Sequence, residues 1–169
     1  MISEEITKTS IARIKINSDK IIRCIDYLDE NELWKDFSPR LVSYGNLMLH
    51  LIGNISQYII SGLGNTTFKR ERDLEFSGKP GYSKEQLKNN FISTINKAIK
   101  TIESLNQDSL MKIYHIQGKD ISGVDTLIHV VEHLSYHTGQ IIWAVKYFKN
   151  INPDFYKGED LNKQNIPSK

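Results

Sequence analysis

Cysteine is almost absent from this sequence: Cys24 is the single example among 169 residues. One cysteine excludes a disulfide within the chain and is typical of a reducing compartment, so we expect a cytoplasmic protein. Cys24 lies in a long amphipathic segment with no histidine near it in sequence. We therefore interpret it as a small core residue and not as a catalytic nucleophile.

A large excess of charge of one sign is missing as well, because the formal net charge is only +2. Proteins that bind nucleic acids usually concentrate Lys and Arg on one face, whereas here Lys and Glu are spread along helical segments. We therefore expect no nucleic-acid partner. The opening residues, MISEEITKTS, are acidic and lack the apolar stretch of a signal peptide.

An uninterrupted apolar run long enough for a membrane span is also lacking. The most apolar segment begins at Leu41, and polar side chains interrupt it at Asn46, His50, Asn54 and Gln57. A membrane-spanning helix would avoid four such groups, so we expect a buried helix of a protein with no membrane partner.

Proline and glycine are scarce, with 4 and 10 residues, and apolar residues recur with helical spacing. Four helices are predicted, over about 3–28, 44–63, 83–105 and 122–148. Ser83 with Gln86 and Ser122 with Asp125 have the spacing of helix-capping pairs. The prediction is an all-α four-helix bundle with long crossover connections over residues 64–82 and 106–121, the second holding a short extended piece, KIYHI. Residues 1–149 form the domain, and 150–169 form a polar tail lying loosely on the surface.

The second helix carries no Asp, Glu, Lys or Arg anywhere between Leu41 and Phe68. Its polar residues fall on one face because they are spaced by three and four: Ser43, Asn46, His50, Asn54, Gln57 and Ser61. This stripe is either a set of satisfied core hydrogen bonds, a helix covered by a partner subunit, or the lining of a binding site. In a homodimer, Tyr58, Ile59 and Leu63 could contribute to the shared face.

The fourth helix places His129, His133 and His137 at successive steps of four, and two imidazoles at this spacing can bind one metal ion. With 100° per residue, His137 lies about 40° from His133 toward the apolar stripe, and His129 about 40° the other way. The pair His133 and His137 is therefore preferred, although most such pairs are surface accidents. His50 on the uncharged second helix offers a third imidazole that leans inward.

Other polar residues receive lesser roles. Gln140, one turn from His133 and His137, could orient a metal-bound water or substrate, and Asn54 could orient the bound group from the second helix. His115 is expected to be a loop residue, and Glu132 falls on the outer side of its helix. Neither helix therefore places a carboxylate beside the three histidines.

Three segments in the same order resemble motifs of the DinB-like superfamily. They are NLMLHLIGN in the second helix, RERDLEF after it, and HLSYHTGQI in the fourth helix, and the resemblance covers nearly the whole chain. It implies a four-helix bundle with a site for zinc, nickel or a similar divalent ion on His50, His133 and His137. Some members of the superfamily are thiol S-transferases that use low-molecular-weight bacterial thiols, and others belong to branches with no assigned activity.

These observations predict a metal-dependent enzyme that transfers a low-molecular-weight thiol to an electrophilic small molecule. Three histidines leave positions open on the ion, and a thiol bound there loses its proton readily. The lack of a nearby carboxylate favours thiol chemistry over a metal-dependent hydrolase, which needs a general base. A non-catalytic metal-binding or dimerising stress-response module is the remaining alternative.

The charged segment RERDLEF is expected to lie against the bundle near the mouth of the site. Arg70 or Arg72 could bind an anionic group of a substrate. An ion pair between one of these arginines and Asp73 could equally pin the loop, and alternating charges favour the pinning role.

Overall fold

The computed structural model describes residues 2–38, 41–77 and 81–164. Over these residues the chain is mostly helical, with one small β-hairpin. The elements are α1 (Ile2–Asp26), α2 (Glu30–Leu33), α3 (Tyr44–Ile55), a π-helix (Ser56–Leu63), a 3-10 helix (Arg72–Glu75), α4 (Lys84–Glu103), α5 (Gln107–Met111), β1 (Ile113–Ile116), β2 (Lys119–Ser122) and α6 (Gly123–Lys149). None of the helices in these described ranges is both long and apolar enough to cross a membrane.

The long helices form the predicted four-helix bundle. α1 packs chiefly against α4 and α6, and α3 packs against the same two helices, so α1 and α3 lie on a diagonal of the bundle. The connection from α4 to α6 crosses the other diagonal of the bundle, and a connection between helices that are not neighbours must be long. The apolar stripes read from the sequence meet in one core, where Ile21, Phe91 and Leu134 are fully buried. α3 and α6 face each other, and this contact positions the histidines.

Helix starts follow the capping signals in the sequence. Ser83 accepts a hydrogen bond from the backbone N–H of Gln86, and the Gln86 side chain accepts one from the backbone N–H of Ser83. Ser122 caps α6 by accepting from the backbone N–H of Asp125. Such caps satisfy donors that the first helical turn leaves unpaired, and they fix where each helix begins.

The predicted second helix changes its geometry near its middle. After Ile55 it continues as a π-helix, in which the N–H of Gly64 donates to the carbonyl of Ile59 at 3.0 Å, five residues earlier. A wider turn of this kind shifts every later side chain around the helix axis, and such turns are frequent at functional sites. Tyr58, in the π-helix, donates its hydroxyl to the Gln117 side chain of the hairpin at 2.6 Å.

The predicted extended piece KIYHI is present as β1. It pairs antiparallel with β2, with Ile113 opposite Ser122 and Ile116 opposite Lys119. α2 and α5 were not predicted, because helices of four or five residues carry no readable periodicity.

The segment after α6 differs from the expected loose tail. Arg23 of α1 donates to the carbonyl of Pro153 at 2.6 Å, and its guanidinium lies 4.9 Å from the ring centroid of Phe155. Pro153 is buried. Phe155 and Tyr156 hold this segment against α1. The prediction of a loose tail considered only how polar the segment is and overlooked these two aromatic residues. The division of the chain at residue 149 stays a prediction, and residues 165–169 of the tail lie outside the described residues.

Candidate metal centre

Three histidines converge between α3 and α6. His50 comes from α3, and His133 and His137 come from consecutive turns of α6. One ring nitrogen of each lies within 4.8 Å of the others. Nε2 of His133 lies 2.9 Å from Nε2 of His50, slightly closer than the roughly 3–4.5 Å expected of two nitrogens that bind one ion. The structure thus brings together the three residues that the sequence selected.

Two of the rings are held by hydrogen bonds on their far side. Nδ1 of His50 lies 2.9 Å from Oε2 of Glu75, and Nδ1 of His137 lies 2.7 Å from Oε1 of Gln140. Both partner atoms are acceptors, so we assign the proton to each Nδ1. Nη2 of Arg70 also lies 3.1 Å from Nδ1 of His50, but it donates to Oε2 of Glu75 at the shorter distance of 2.7 Å. The Nε2 atoms of these rings then keep their lone pairs, which is the form that binds a metal ion.

Glu75 is the residue of this site that sequence reasoning missed. Its side chain is nine-tenths buried and receives two hydrogen bonds from Arg70, from Nε to Oε1 at 2.6 Å and from Nη2 to Oε2 at 2.7 Å. This two-point pairing neutralises the carboxylate and fixes its plane. The expectation that no carboxylate lies beside the histidines is therefore wrong. The helices supply none, but the 3-10 helix places Glu75 behind His50.

Three of the six residues of the neutral stripe on the second helix, Asn46, His50 and Gln57, form hydrogen bonds with this loop. Asn46 donates to the backbone carbonyl of Glu75 at 2.8 Å, and Gln57 accepts from Nη1 of Arg70 at 3.0 Å. Gly53 lies between them, where a Cβ atom would overlap Oε1 of Glu75. The stripe thus forms hydrogen bonds with the loop and also builds one wall of the site, while Oδ1 of Asn54 has no hydrogen-bond partner among the described residues. Of the three interpretations that the sequence left open, core hydrogen bonding and the lining of a candidate site both describe this helix.

Burial keeps the three imidazoles neutral. It is the largest influence on the pKa of His50 and lowers it, although the nearby Glu75 acts in the opposite direction, and it lowers the pKa of His137 as well. Burial together with the neighbouring His137 and His50 lowers the pKa of His133 to about 3. Metal ligation requires unprotonated imidazole, so the site is in its ligand form at neutral pH.

The donor set suits a borderline divalent ion. Three neutral nitrogens are typical of zinc sites with an open position, and nickel also accepts imidazole ligands. Two nitrogens held tetrahedrally at about 2.1 Å from an ion lie roughly 3.4 Å apart. With an ion bound, the Nε2 atoms of His50 and His133 would lie slightly farther apart than the 2.9 Å seen here. The residues therefore fit a zinc or nickel ion.

The other two histidines lie outside this cluster. His115 is exposed on β1, with Nδ1 2.8 Å from Asp120. His129 was expected to face outward, yet it is half-buried, its ring centroid 4.4 Å from that of Tyr58 and its Nε2 3.5 Å from Nδ2 of Asn54. The π-helix brings Tyr58 over the outer edge of α6, and this tertiary contact is not visible in a helical wheel.

The predicted loop residues have different roles from those expected. Arg70 is engaged by Glu75 and Gln57 and has little capacity left for a substrate anion. An ion pair of Arg70 does hold the loop, but its carboxylate belongs to Glu75 and not to Asp73, which is exposed. Arg72 lies over the ring of Phe76, 5.1 Å from its centroid, and Phe76 lies 5.1 Å from the ring of His50.

Tyr58, Ile59 and Leu63 do not form an exposed face. All three are buried within the chain, so they are not available for a contact between subunits. Their burial follows from packing of the π-helix against α4, α6 and the hairpin.

The four-helix bundle has the fold of solved DinB-like proteins. Within that class, the chain belongs to the family described as "Protein of unknown function (DUF1572)", which it matches over residues 1–156. None of the curated proteins compared with the sequence matches it.

Solved structures share this fold at low sequence identity. A DinB-like protein from Bacillus cereus has a TM-score of 0.64 at 16% identity, covering 82% of this chain and 89% of that chain. A DinB-like protein from Bacillus subtilis has a TM-score of 0.66 at 11% identity, covering 85% and 94%. A mycothiol-dependent maleylpyruvate isomerase has a TM-score of 0.64 at 12% identity, covering 80% of this chain and 60% of that chain.

Proposed function

We propose that this protein binds one zinc or nickel ion through His50, His133 and His137 and transfers a low-molecular-weight thiol to an electrophilic small molecule. The convergence of three neutral imidazoles carries the proposal. When bound, the ion would supply a positive charge that favours thiolate over thiol at neutral pH. A structural neighbour that is a mycothiol-dependent enzyme gives independent support for a thiol as the co-substrate.

Residues of the chain orient the histidine ligands, whereas the reacting thiol belongs to a separate small molecule. Glu75 and Gln140 hold the rings of His50 and His137 with Nε2 toward the centre. Cys24 is fully buried, and burial raises the pKa of its thiol to about 11, so it cannot act as the nucleophile. In the transfer, the thiolate sulfur forms a bond to the electrophilic carbon, the leaving group departs with its bonding electron pair, and the thiol proton passes to water.

Hydrolysis is disfavoured because the nearby carboxylate is occupied. Glu75 receives hydrogen bonds on both oxygens and lies behind His50, on the Nδ1 side of the ring. A general base needs a free oxygen within reach of the proton it removes. Asn54 is buried one turn from His50, and its Oδ1 has no hydrogen-bond partner among the described residues. We assign to it the role of accepting a hydrogen bond from the bound thiol compound.

The test is a panel of bacterial thiols with a haloaromatic compound or an epoxide as electrophile. Metal-loaded protein is expected to form the thioether, whereas metal-free protein and His133→Ala are not, and His115→Ala serves as the matched histidine control. Equal turnover by metal-loaded protein, metal-free protein and His133→Ala would refute the proposal. Hydrolysis of an ester or amide without any thiol transfer would replace it with the hydrolase, and inactivity of a fully metal-loaded protein with every thiol and ester would favour the non-catalytic module.

A further inference from the structure

A cavity of about 490 Å³ lies between the α2–α3 connection and α6. It is lined by Phe37, Leu41, Val42, Leu47, Gly139, Gln140, Trp143 and Ala144. The volume falls in the range that accommodates a small organic molecule. Of these described lining residues, none is charged and Gln140 is the single one with a polar side chain.

Gln140 connects this cavity to the three-histidine cluster. Its Oε1 accepts the hydrogen bond from Nδ1 of His137 at 2.7 Å, so its amide nitrogen is left to donate elsewhere. The same residue therefore contacts a candidate metal ligand and forms part of the cavity wall. A molecule in the cavity would therefore lie within one helical turn of His137, a candidate metal ligand.

Gly139 gives a second, independent indication that the cavity is kept open. It lies in the interior of α6, where glycine is less favourable than alanine. A Cβ atom built at Gly139 meets no described atom within 4 Å. A side chain at this position would therefore meet open space in the wall of the cavity, the space that a bound molecule would use.

The aromatic and aliphatic side chains among the lining residues indicate the chemical class of that molecule. Trp143 keeps 64% of its surface exposed and Leu41 keeps 55%, although both are large apolar side chains beside the cavity. A flat, uncharged ring between such walls would cover apolar surface from both sides. A carbonyl or nitro oxygen on the ring would suit the free amide donor of Gln140.

We infer that this cavity binds the electrophilic co-substrate, and that the co-substrate is an uncharged aromatic compound bearing a hydrogen-bond acceptor. The inference rests on the proposed thiol transfer and adds to it the class of electrophile and the residues that select it. Gln140 then has two functions, because it orients His137 and also holds the acceptor group of the aromatic compound.

The binding test uses N-phenyl-1-naphthylamine, a neutral aromatic probe whose fluorescence rises in apolar surroundings, with metal-loaded and metal-free full-length protein. Gly139→Leu fills the cavity from a position without neighbours, and Trp143→Ala removes one wall. Each is expected to weaken probe binding about tenfold. Ser135→Leu adds the same side chain to an exposed position of α6 outside the cavity and is expected to leave binding unchanged.

The outcomes separate this inference from the proposed function. If thiol transfer proceeds and Gly139→Leu raises the KM for a chloronitrobenzene without changing the KM for the thiol or the metal content, the inference holds. If transfer proceeds but neither cavity variant changes probe binding or that KM, the inference is wrong and the function stands. If the protein binds no metal, the proposed thiol transfer is refuted. If in that case the probe still binds wild type and does not bind Gly139→Leu, the cavity remains a binding site. A dimer that Trp143→Ala dissociates would show that a second copy occupies the cavity, which would also overturn the inference.

Discussion

Glu75 is the residue through which the charged loop reaches the candidate metal centre. One of its oxygens accepts from both Arg70 and His50, so a single carboxylate joins the loop to α3. A carboxylate behind a ligating histidine fixes the ring and makes its other nitrogen a better donor to the metal. Although Glu75 touches no reacting atom in this arrangement, it determines how His50 presents Nε2.

Replacing Glu75 therefore tests whether it positions His50. Glu75→Gln should weaken zinc affinity by about 10–100-fold while leaving the helical content unchanged. Competition against a chromogenic chelator measures the affinity, and circular dichroism measures the helicity. Glu71→Gln changes an exposed carboxylate of the same loop and should have no effect on affinity. Equal affinities for the two variants would show that Glu75 only pins the loop.

Cys24 gives a residue-scale test of the buried core. Because burial raises its pKa to about 11, only roughly one thiol in a thousand is ionised at pH 8. Alkylation by iodoacetamide should be very slow in the folded protein and fast in urea, as followed by mass spectrometry. Rapid alkylation without denaturant would contradict the assignment of Cys24 to the core and would reopen its role as a nucleophile.

At the scale of elements, the long helices were predictable and the loop that completes the site was not. Ser83 and Ser122 fixed helix starts because capping is a local interaction, and His133 with His137 followed from the 3.6-residue repeat. Glu75 was missed because its role depends on how an irregular segment folds back across α3. The same course of the loop explains why Arg70 pairs with Glu75 and not with Asp73.

The π-helix marks a second limit of sequence reasoning. Hydrophobic periodicity predicted one regular helix to residue 63, and the change at Ser56 leaves no mark in that pattern. The wider turn moves Tyr58 against His129 and ties it to the hairpin. The half-buried position of His129 could therefore not be predicted from a helical wheel, whereas its exclusion from the three-histidine cluster could.

Gly53 provides the prediction for how α3 and the loop fit together. A methyl group there would overlap the Glu75 carboxylate and lie 2.9 Å from Nε of Arg70. Gly53→Ala should lower the free energy of unfolding by about 1–3 kcal/mol and weaken metal binding, both measured on the purified protein. Gly139→Ala is the matched control, because its methyl group meets no described atom, and it should stabilise α6 slightly. Tolerance of Gly53→Ala would mean that the loop does not pack as described.

At the scale of the whole molecule, acid should destabilise the metal-free bundle through its histidines. Burial lowers the pKa of His50, His133 and His137, so below pH 6.5 the unfolded chain binds protons that the folded chain does not. Stability present above pH 6.5 is then lost as the pH falls toward about 3, the pKa of His133. Urea titrations at pH 7.5 and pH 5 should show this loss, and it should be smaller in His133→Ala. An unchanged midpoint between the two pH values would contradict it.

The central claim is that one divalent ion binds to three specific histidines. Elemental analysis of protein purified without a polyhistidine tag tests it most directly, because a tag can carry nickel of its own. The account predicts about one equivalent of zinc or nickel per chain in wild type, His129→Ala and His115→Ala, and almost none in His137→Ala. Metal that persists in a folded His137→Ala variant, or that is lost equally in His129→Ala, would contradict the assignment of the site.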